Sequence, residues 1–323
     1  MRRNRRRMLS LLATTVVMPA VASAQEDYPA RPVRLVVGFP AGSSTDVATR
    51  ALAEGLSRSL GAQFVVENRP GASSNIAARS VASGAADGYT LFVGTIANTI
   101  SITIQPETSV DIEKEFVPIA MVGSVPNLLV VHPSLEVDSV KDLVDLARKR
   151  PGEITYASSG NGTSPHLSGE LFAHMADVRL VHVPYKGSSP AVVDLIAGQV
   201  KMMFSPISTA LPHVRDGKLR ALASTSAKRA RSLPDLPTIQ EAGLADFETS
   251  VWFGLNAPRG TPEAIIRRVS QAVASAQSGP DLVHRFEAQG IETVQAGPKE
   301  YGEVIRRETA KWAEVIRSAK VGR

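Results

Sequence analysis

Arg34-Leu35-Val36-Val37-Gly38-Phe39-Pro40-Ala41-Gly42-Ser43-Ser44-Thr45-Asp46 is the stretch whose reading decides the fold. Its opening run, residues 34–38, is short, β-branched and without polar alternation, as in a buried strand. Residues 39–46 form a loop of small side chains. From Val47 to Leu60 apolar residues recur at helical spacing, at Val47, Ala51, Leu52, Leu56 and Leu60, and Gly61 supplies a stop. Strand, small-residue loop and helix in that order make the first half of a βαβ unit.

The same order recurs along the chain. Residues 63–67 predict a strand, Asn68-Arg69-Pro70-Gly71 a turn, and Ser74 or Asn75 opens a helix to about Ser83. A third strand covers 88–94 after the Asp87-Gly88 turn. Further strands are predicted at 127–131, 154–157, 181–183, 200–204, 219–223 and 250–255. Helices are predicted at 139–150, from the 158–164 loop to about Met175, and at 189–196. Two more close the chain, at 262–277, where Thr261 caps and Pro262 sits in the first turn, and at 298–320. The fold class is therefore α/β, with mostly parallel sheets flanked by helices.

Met1-Arg2-Arg3-Asn4-Arg5-Arg6-Arg7 is followed by an apolar run to Met18 and by Ala22-Ser23-Ala24, a small-x-small cleavage pattern. Those are the three parts of a signal peptide, assigned to residues 1–24, and they predict an exported protein that works outside the cytoplasm. The apolar run is short for a membrane span, which needs about 20 residues. The full chain has 36 Lys and Arg against 31 Asp and Glu, but five arginines lie in the leader, so the rest balances at 31 each. Nucleic-acid binding loses its electrostatic support. The remaining chain, about 299 residues, is longer than one core usually serves. Two lobes are expected, 25–122 plus 248–323 as the first and 123–247 as the second.

Catalytic constellations are missing from the sequence. It has no cysteine, no HExxH among its six histidines and no Gly-x-Ser-x-Gly elbow. Neither GxGxxG nor GxxxxGK[ST] follows a strand. We therefore expect no enzyme, no metal and no cofactor. Three small-residue loops do share a geometry. Residues 39–46, 158–164 and 184–190 each lie after a strand and before a helix, where free N–H groups face an anion. One such loop is ordinary βα chemistry; three from both proposed lobes point to a carboxylate in the cleft.

The order and spacing of several short segments resemble a known family, the Bug proteins, extracytoplasmic solute-binding receptors of tripartite tricarboxylate transporters. The segments are Tyr28-Pro29-Ala30-Arg31-Pro32-Val33, Phe39-Pro40-Ala41-Gly42, Val66-Glu67-Asn68-Arg69-Pro70-Gly71-Ala72 and Asp87-Gly88-Tyr89-Thr90-Leu91. Tyr156-Ala157-Ser158-Ser159-Gly160, His182-Val183-Pro184-Tyr185-Lys186-Gly187, Leu233-Pro234-Asp235-Leu236-Pro237-Thr238 and Trp252-Phe253-Gly254-Leu255 continue it. The resemblance implies a two-lobed, type II periplasmic binding protein that closes on a small organic carboxylate. It also implies backbone amides, hydroxyls and water as the binding groups. The matching positions are Phe39, Gly42, Ser43, Ser44, Thr45, Asp46, Thr95 and Asn98 in the first lobe. In the second they are Ser158, Ser159, Gly162, Thr163, His166, Pro184 and Tyr185. Asp46 either orients its loop, receives a ligand donor or caps the following helix, and the cap is the reading we take.

Two departures from the family pattern bear on the ligand. Gly42-Ser43 stands where paired glycines are usual, and Phe204-Ser205 where Phe-Asp is common. Lacking that aspartate, the pocket is expected to be less negative and poorly suited to an amino-acid ligand. The implied partner is a membrane permease of one large and one small subunit, served by a monomeric receptor. The alternatives are a carboxylate sensor docking on a histidine kinase and, from another class, a secreted hydrolase.

Overall fold

The computed structural model describes residues 28–318, so the signal-peptide assignment lies outside the described residues. In chain order the elements begin β1 (Val33–Val37), α1 (Ser44–Leu60), β2 (Phe64–Asn68), α2 (Asn75–Ala82), β3 (Thr90–Thr95), α3 (Ile96–Ile104) and α4 (Ile112–Glu115). β4 (Phe116–Val131), α5 (Val140–Lys149), β5 (Thr155–Ser158), α6 (Ser164–Ala176), β6 (Val181–Pro184), α7 (Ser188–Ile196), β7 (Met202–Pro206), α8 (Ile207–Arg215) and β8 (Arg220–Ser224) follow. β9 (Ser250–Pro258), α9 (Glu263–Ser278), α10 (Pro280–Ala288), β10 (Glu292–Ala296) and α11 (Pro298–Ser318) end the chain.

The strands form one mixed sheet in the order β2-β1-β3-β9-β4-β7-β5-β6, with β8 and β10 also paired to β4. β1 pairs in parallel with β2 and β3, and β5 with β6 and β7. All pairings of β4 and β9 are antiparallel. The expectation of mostly parallel sheets is thus corrected. Parallel triplets occupy the two ends, and an antiparallel pair joins them. Sequence patterning reports burial of a strand's faces, not the direction of its neighbours.

β4 explains why. It runs for 16 residues, pairing with β9 from Phe116 to Pro126 and with β7 from Asn127 to Val131. Only 127–131 was predicted, because Pro118, Gly123 and Pro126 argue against a central strand. The structure accommodates them: the register shifts between Pro118 and Ala120 and again between Met121 and Gly123, and Pro126 lies where the partner changes. β10, pairing with the first part of β4, and α3, α4, α8 and α10 were also not predicted.

Three apolar clusters stabilise this arrangement. One draws only on residues between Leu129 and Phe247, with Phe172, Phe204 and Phe247 in mutual ring contact. A second gathers Phe92, Phe116, Trp252, Tyr301 and Trp312, so α11 returns to cover β3, β4 and β9. The third underlies α1, α9 and the sheet from Val33 to Ala257. The start of α9 differs from expectation: Pro262 is the N-cap, and Thr261 Oγ1 donates to the Pro258 carbonyl instead of capping.

Candidate functional site

Five helices begin directly after strands at the carboxyl edge of the two parallel triplets: α1 after β1, α3 after β3, α6 after β5, α7 after β6 and α8 after β7. That edge is where open α/β sheets place ligands. A pocket there has about 370 Å³ of free space, its mouth included. Its walls are Phe39, Ser43, Ser44 and Thr45 at α1, Thr95, Ile96 and Ala97 at α3, Ser159, Thr163, Ser164 and Pro165 at α6, Ser188 at α7, Pro206 at α8, and Val251 of β9. Eight of these fourteen residues carry hydroxyls and none is ionisable, so any charge recognition must come from dipoles and hydrogen bonds.

Each helix start has a local cause. Ser43 caps α1, its Oγ accepting from Asp46 N–H at 3.3 Å. Thr95 caps α3 through a reciprocal box: its Oγ1 accepts from Ala97 N–H at 3.2 Å, and Asn98 Oδ1 accepts from Thr95 N–H at 3.0 Å. Thr163, Gly187 and Pro206, the N-caps of α6, α7 and α8, make no side-chain capping bond. The first-turn amides of those three helices are accordingly left for a ligand or water.

The sequence-derived residues separate into two groups. Phe39, Ser43, Ser44, Thr45, Thr95, Ser159 and Thr163 line the pocket. Gly42, Asp46, Asn98, Ser158, Gly162, His166, Pro184 and Tyr185 do not, and most of them build the loops behind it. Ser188, Ser164, Pro165, Ile96, Ala97, Pro206 and Val251 were not singled out. Ser164 and Ser188 lay inside the loops already marked, whereas Pro206 and Val251 reach the pocket only through sheet topology. Ser205, at the position of the family's aspartate, is fully buried and does not line the pocket.

Asp46 is corrected from helix cap to loop anchor. It accepts from Gly42 N–H at 2.9 Å, from Arg50 Nε at 3.0 Å and from Asn68 Nδ2 at 2.8 Å, while Asn68 Nδ2 also reaches the Phe39 carbonyl at 3.0 Å. Burial by itself would raise this carboxyl; the bonds from Arg50, Gly42 and Asn68 outweigh it and hold the group below the usual carboxylate range. The charge is spent on shaping residues 39–46, and capping falls to Ser43 one turn earlier.

Behind the 158–164 loop lies a stacked imidazole pair. His166 and His182 have ring centroids 4.0 Å apart, and His182 stacks on Tyr156 at 4.9 Å. His166 Nδ1 accepts from Gly162 N–H at 3.0 Å, and His182 Nε2 lies 2.6 Å from Ser158 Oγ. His166 is therefore a support for the loop, neutral and with its proton on Nε2. Burial, with the neighbouring His182, pushes its pKa down to about 3, and burial pushes that of His182 down to about 4. The unfolded chain takes up protons here below pH ~6.5 while the native state refuses them, so stability falls as pH drops from about 6.5 towards 4. Between pH 7 and pH 5 the loss from His166 should be on the order of 2 kcal/mol. Urea unfolding at the two pH values checks this, and His166→Asn, which cannot titrate, should remove the His166 share of the difference and leave that of His182.

Loops that follow the strands of the two parallel triplets touch. Ser73 Oγ donates to the Asn161 carbonyl, and an ideal Cβ at Gly187 would lie 3.0 Å from Pro40 Cγ. Tyr185 faces away, its hydroxyl donating to Asp194 at 2.8 Å. Among the described residues no cluster of three or more His, Asp or Glu could hold a metal ion.

Residues 48–321 match the family model described as the tripartite tricarboxylate transporter family receptor. The chain is 37% identical over 318 residues to protein BugT of Bordetella pertussis (strain Tohama I), spanning 97% of this chain and 98% of that protein. Among solved structures it superposes on Rhodopseudomonas palustris Rpa4515 with adipate at a TM-score of 0.88 and 39% identity, covering 91% of this chain and 98% of the other. The periplasmic binding protein BugD matches at 0.86 and 32%, covering 91% and 99%. MatC (Rpa3494) of the same Rhodopseudomonas species with bound malate matches at 0.85 and 30%, covering 90% and 100%. Fold, helix-lined pocket and kinship agree: the chain belongs to the Bug (TctC) family of periplasmic solute-binding receptors for tripartite tricarboxylate transporters, a family of receptors and not of enzymes.

Proposed function

We propose that this protein captures a small aliphatic carboxylate between two lobes and delivers it to a tripartite transporter. The observation that carries the reading is the pocket wall. Residues at five helix N-termini and eight hydroxyl side chains surround a space without a single charged group. Helix N-termini carry about half a positive charge each, so a carboxylate is favoured there without lysine or arginine. Phe39, Ile96 and Val251 leave apolar surface for a short carbon chain. Adipate in one relative and malate in another belong to the same chemical class.

In this reading residues 25–122 and 248–323 form one lobe and 123–247 the other. Two observations support that division. The aromatic cluster of Phe172, Phe204 and Phe247 draws wholly on the second segment, and α11 packs back on the first. β4 and the segment leading into β9 carry the chain between the lobes. The Ser73–Asn161 and Pro40–Gly187 contacts would form on closure, excluding water and strengthening the bonds to the anion. Phe39, Gly42, Ser43, Ser44, Thr45, Asp46, Thr95 and Asn98 act from one side. Ser158, Ser159, Gly162, Thr163, His166, Pro184 and Tyr185 act from the other, as wall or as loop support. The closed monomer then docks on a permease of one large and one small subunit.

A thermal-shift screen of residues 25–323, unfolded and refolded to strip carried-over ligand, tests the function. Adipate, malate, citrate, benzoate, amino acids and sugars form the panel. A ligand at 100 times its Kd adds about 2.7 kcal/mol, several degrees of melting temperature. Shifts confined to carboxylates are expected; shifts only with sugars or neutral amines would refute the receptor reading.

A further inference from the structure

Asn127 occupies an unusual place. It is fully buried at the point where β4 leaves β9 for β7, its register partner being the pocket residue Pro206. An amide at this depth needs partners, and it finds them in α6. Asn127 Nδ2 donates to Ser164 Oγ at 2.8 Å and to Ser168 Oγ, one helical turn on, at 3.3 Å. The backbone holds the amide in place: Asn127 N–H donates to Thr225 Oγ1 at 2.9 Å, and Thr225 Oγ1 donates to the Thr249 carbonyl at 2.7 Å. Ser168 Oγ in turn lies 2.6 Å from Thr249 Oγ1.

Ser164 differs from its neighbours in this network because it also lines the pocket, at 1% exposure. A serine hydroxyl has one proton and two lone pairs. Asn127 occupies a lone pair, so the proton must point elsewhere, and among the described residues no protein acceptor takes it. The pocket is the direction left. Rotating the Asn127 amide would reverse the polarity and leave two N–H protons unpaired in the interior in place of the one oxygen, Oδ1, that now lacks a partner. A buried unpaired donor is the costlier of the two.

We propose that Asn127 is a positioning residue for the ligand: its amide fixes the Ser164 hydroxyl as a proton donor to an anionic oxygen in the pocket. The inference rests on the carboxylate-receptor reading and adds a selectivity device to it. Ser164 so held favours ligands that accept at this point and disfavours those that present an N–H.

A mutant cycle read by isothermal titration calorimetry with adipate and malate tests it. Ser164→Ala and Asn127→Ala should each weaken binding on the order of tenfold to a hundredfold, the range of a hydrogen bond to a charged group. If Asn127 acts through Ser164, Asn127→Ala introduced into Ser164→Ala costs less than about twofold more. Asn127→Asp, of the same shape, guards against a folding defect of the alanine variant. Its carboxylate consumes the Ser164 proton, so it should bind more weakly than Asn127→Ala, with folding of each checked by circular dichroism. Losses that multiply in the double variant, or an Asn127→Asp protein that binds like wild type, would overturn the positioning role and leave the receptor reading intact. Wild-type protein that binds no carboxylate of the panel overturns both.

Discussion

Ser188→Asp is expected to weaken carboxylate binding more than a hundredfold while changing the stability of the ligand-free protein by less than about 1 kcal/mol. Ser188 is the first residue of α7, lines the pocket and is 6% exposed. Its helix is capped by Gly187, which has no side chain to satisfy the first-turn amides. An aspartate there sits at the positive end of the helix and takes the place the ligand's charge would fill. Two carboxylates about 5 Å apart repel by roughly 3 kcal/mol at an effective dielectric of 20, which is the hundredfold loss. Ser188→Asn, with the same shape and no charge, should retain most of the affinity. Calorimetric titration of both variants separates charge from size; equal losses in the two would show that the helix ends do not set the recognition.

Gly38→Ala should lower unfolding free energy by about 3 kcal/mol and abolish binding with it. An ideal Cβ at Gly38 would lie 2.0 Å from Ser74 Oγ and 2.6 Å from Ser74 Cα, so backbone as well as side chain must move. Ser74 cannot yield easily. Ala72, Ser73 and Ser74 are consecutive non-glycine residues at φ 45°, 50° and 76°, a left-handed stretch costing about 1–2 kcal/mol per residue. It is pinned by Asn75, whose Nδ2 donates to the Ala72 carbonyl at 2.9 Å and whose Oδ1 accepts from Val110 N–H at 2.9 Å. Gly38 leads directly into the Phe39–Asp46 loop, so the displacement reaches the ligand. Adding Ser74→Gly removes the Oγ and Cβ contacts and suits the positive φ, and should restore part of both losses in urea unfolding and titration. A Gly38→Ala protein as stable as wild type would contradict the close approach.

Much of the site was legible because its chemistry is local. A strand followed by small residues and an apolar-periodic helix identifies a βα junction, and all three loops marked in this way contribute pocket residues. Legibility ended where side chains near the pocket had to be divided between wall and scaffold. Asp46 looks like a ligand or cap residue in one dimension; Arg50, Asn68 and Gly42 N–H gather round it only when β2 lies beside β1. His166 next to a glycine loop invites a ligand role, yet its acceptor nitrogen is taken by Gly162 N–H. Ile96 to Ile104 is β-branched and still helical, because Thr95 and Asn98 form a reciprocal cap at its start.

The α/β class, three of the five βα junctions at the pocket edge and the balance of charge beyond the leader were determined by the sequence itself. Hydrophobic periodicity, turn residues and capping side chains act within a few residues of one another, so they are written in the order of the chain. Strand direction at the centre, the partner switch of β4 at Asn127 and the meeting of two parallel triplets on one pocket were decided by tertiary structure. Those depend on which segments share a hydrogen-bond ladder across more than a hundred residues, as Phe116–Pro126 does with Ser250–Pro258. A strand's own pattern of buried side chains is the same whichever way its neighbour runs.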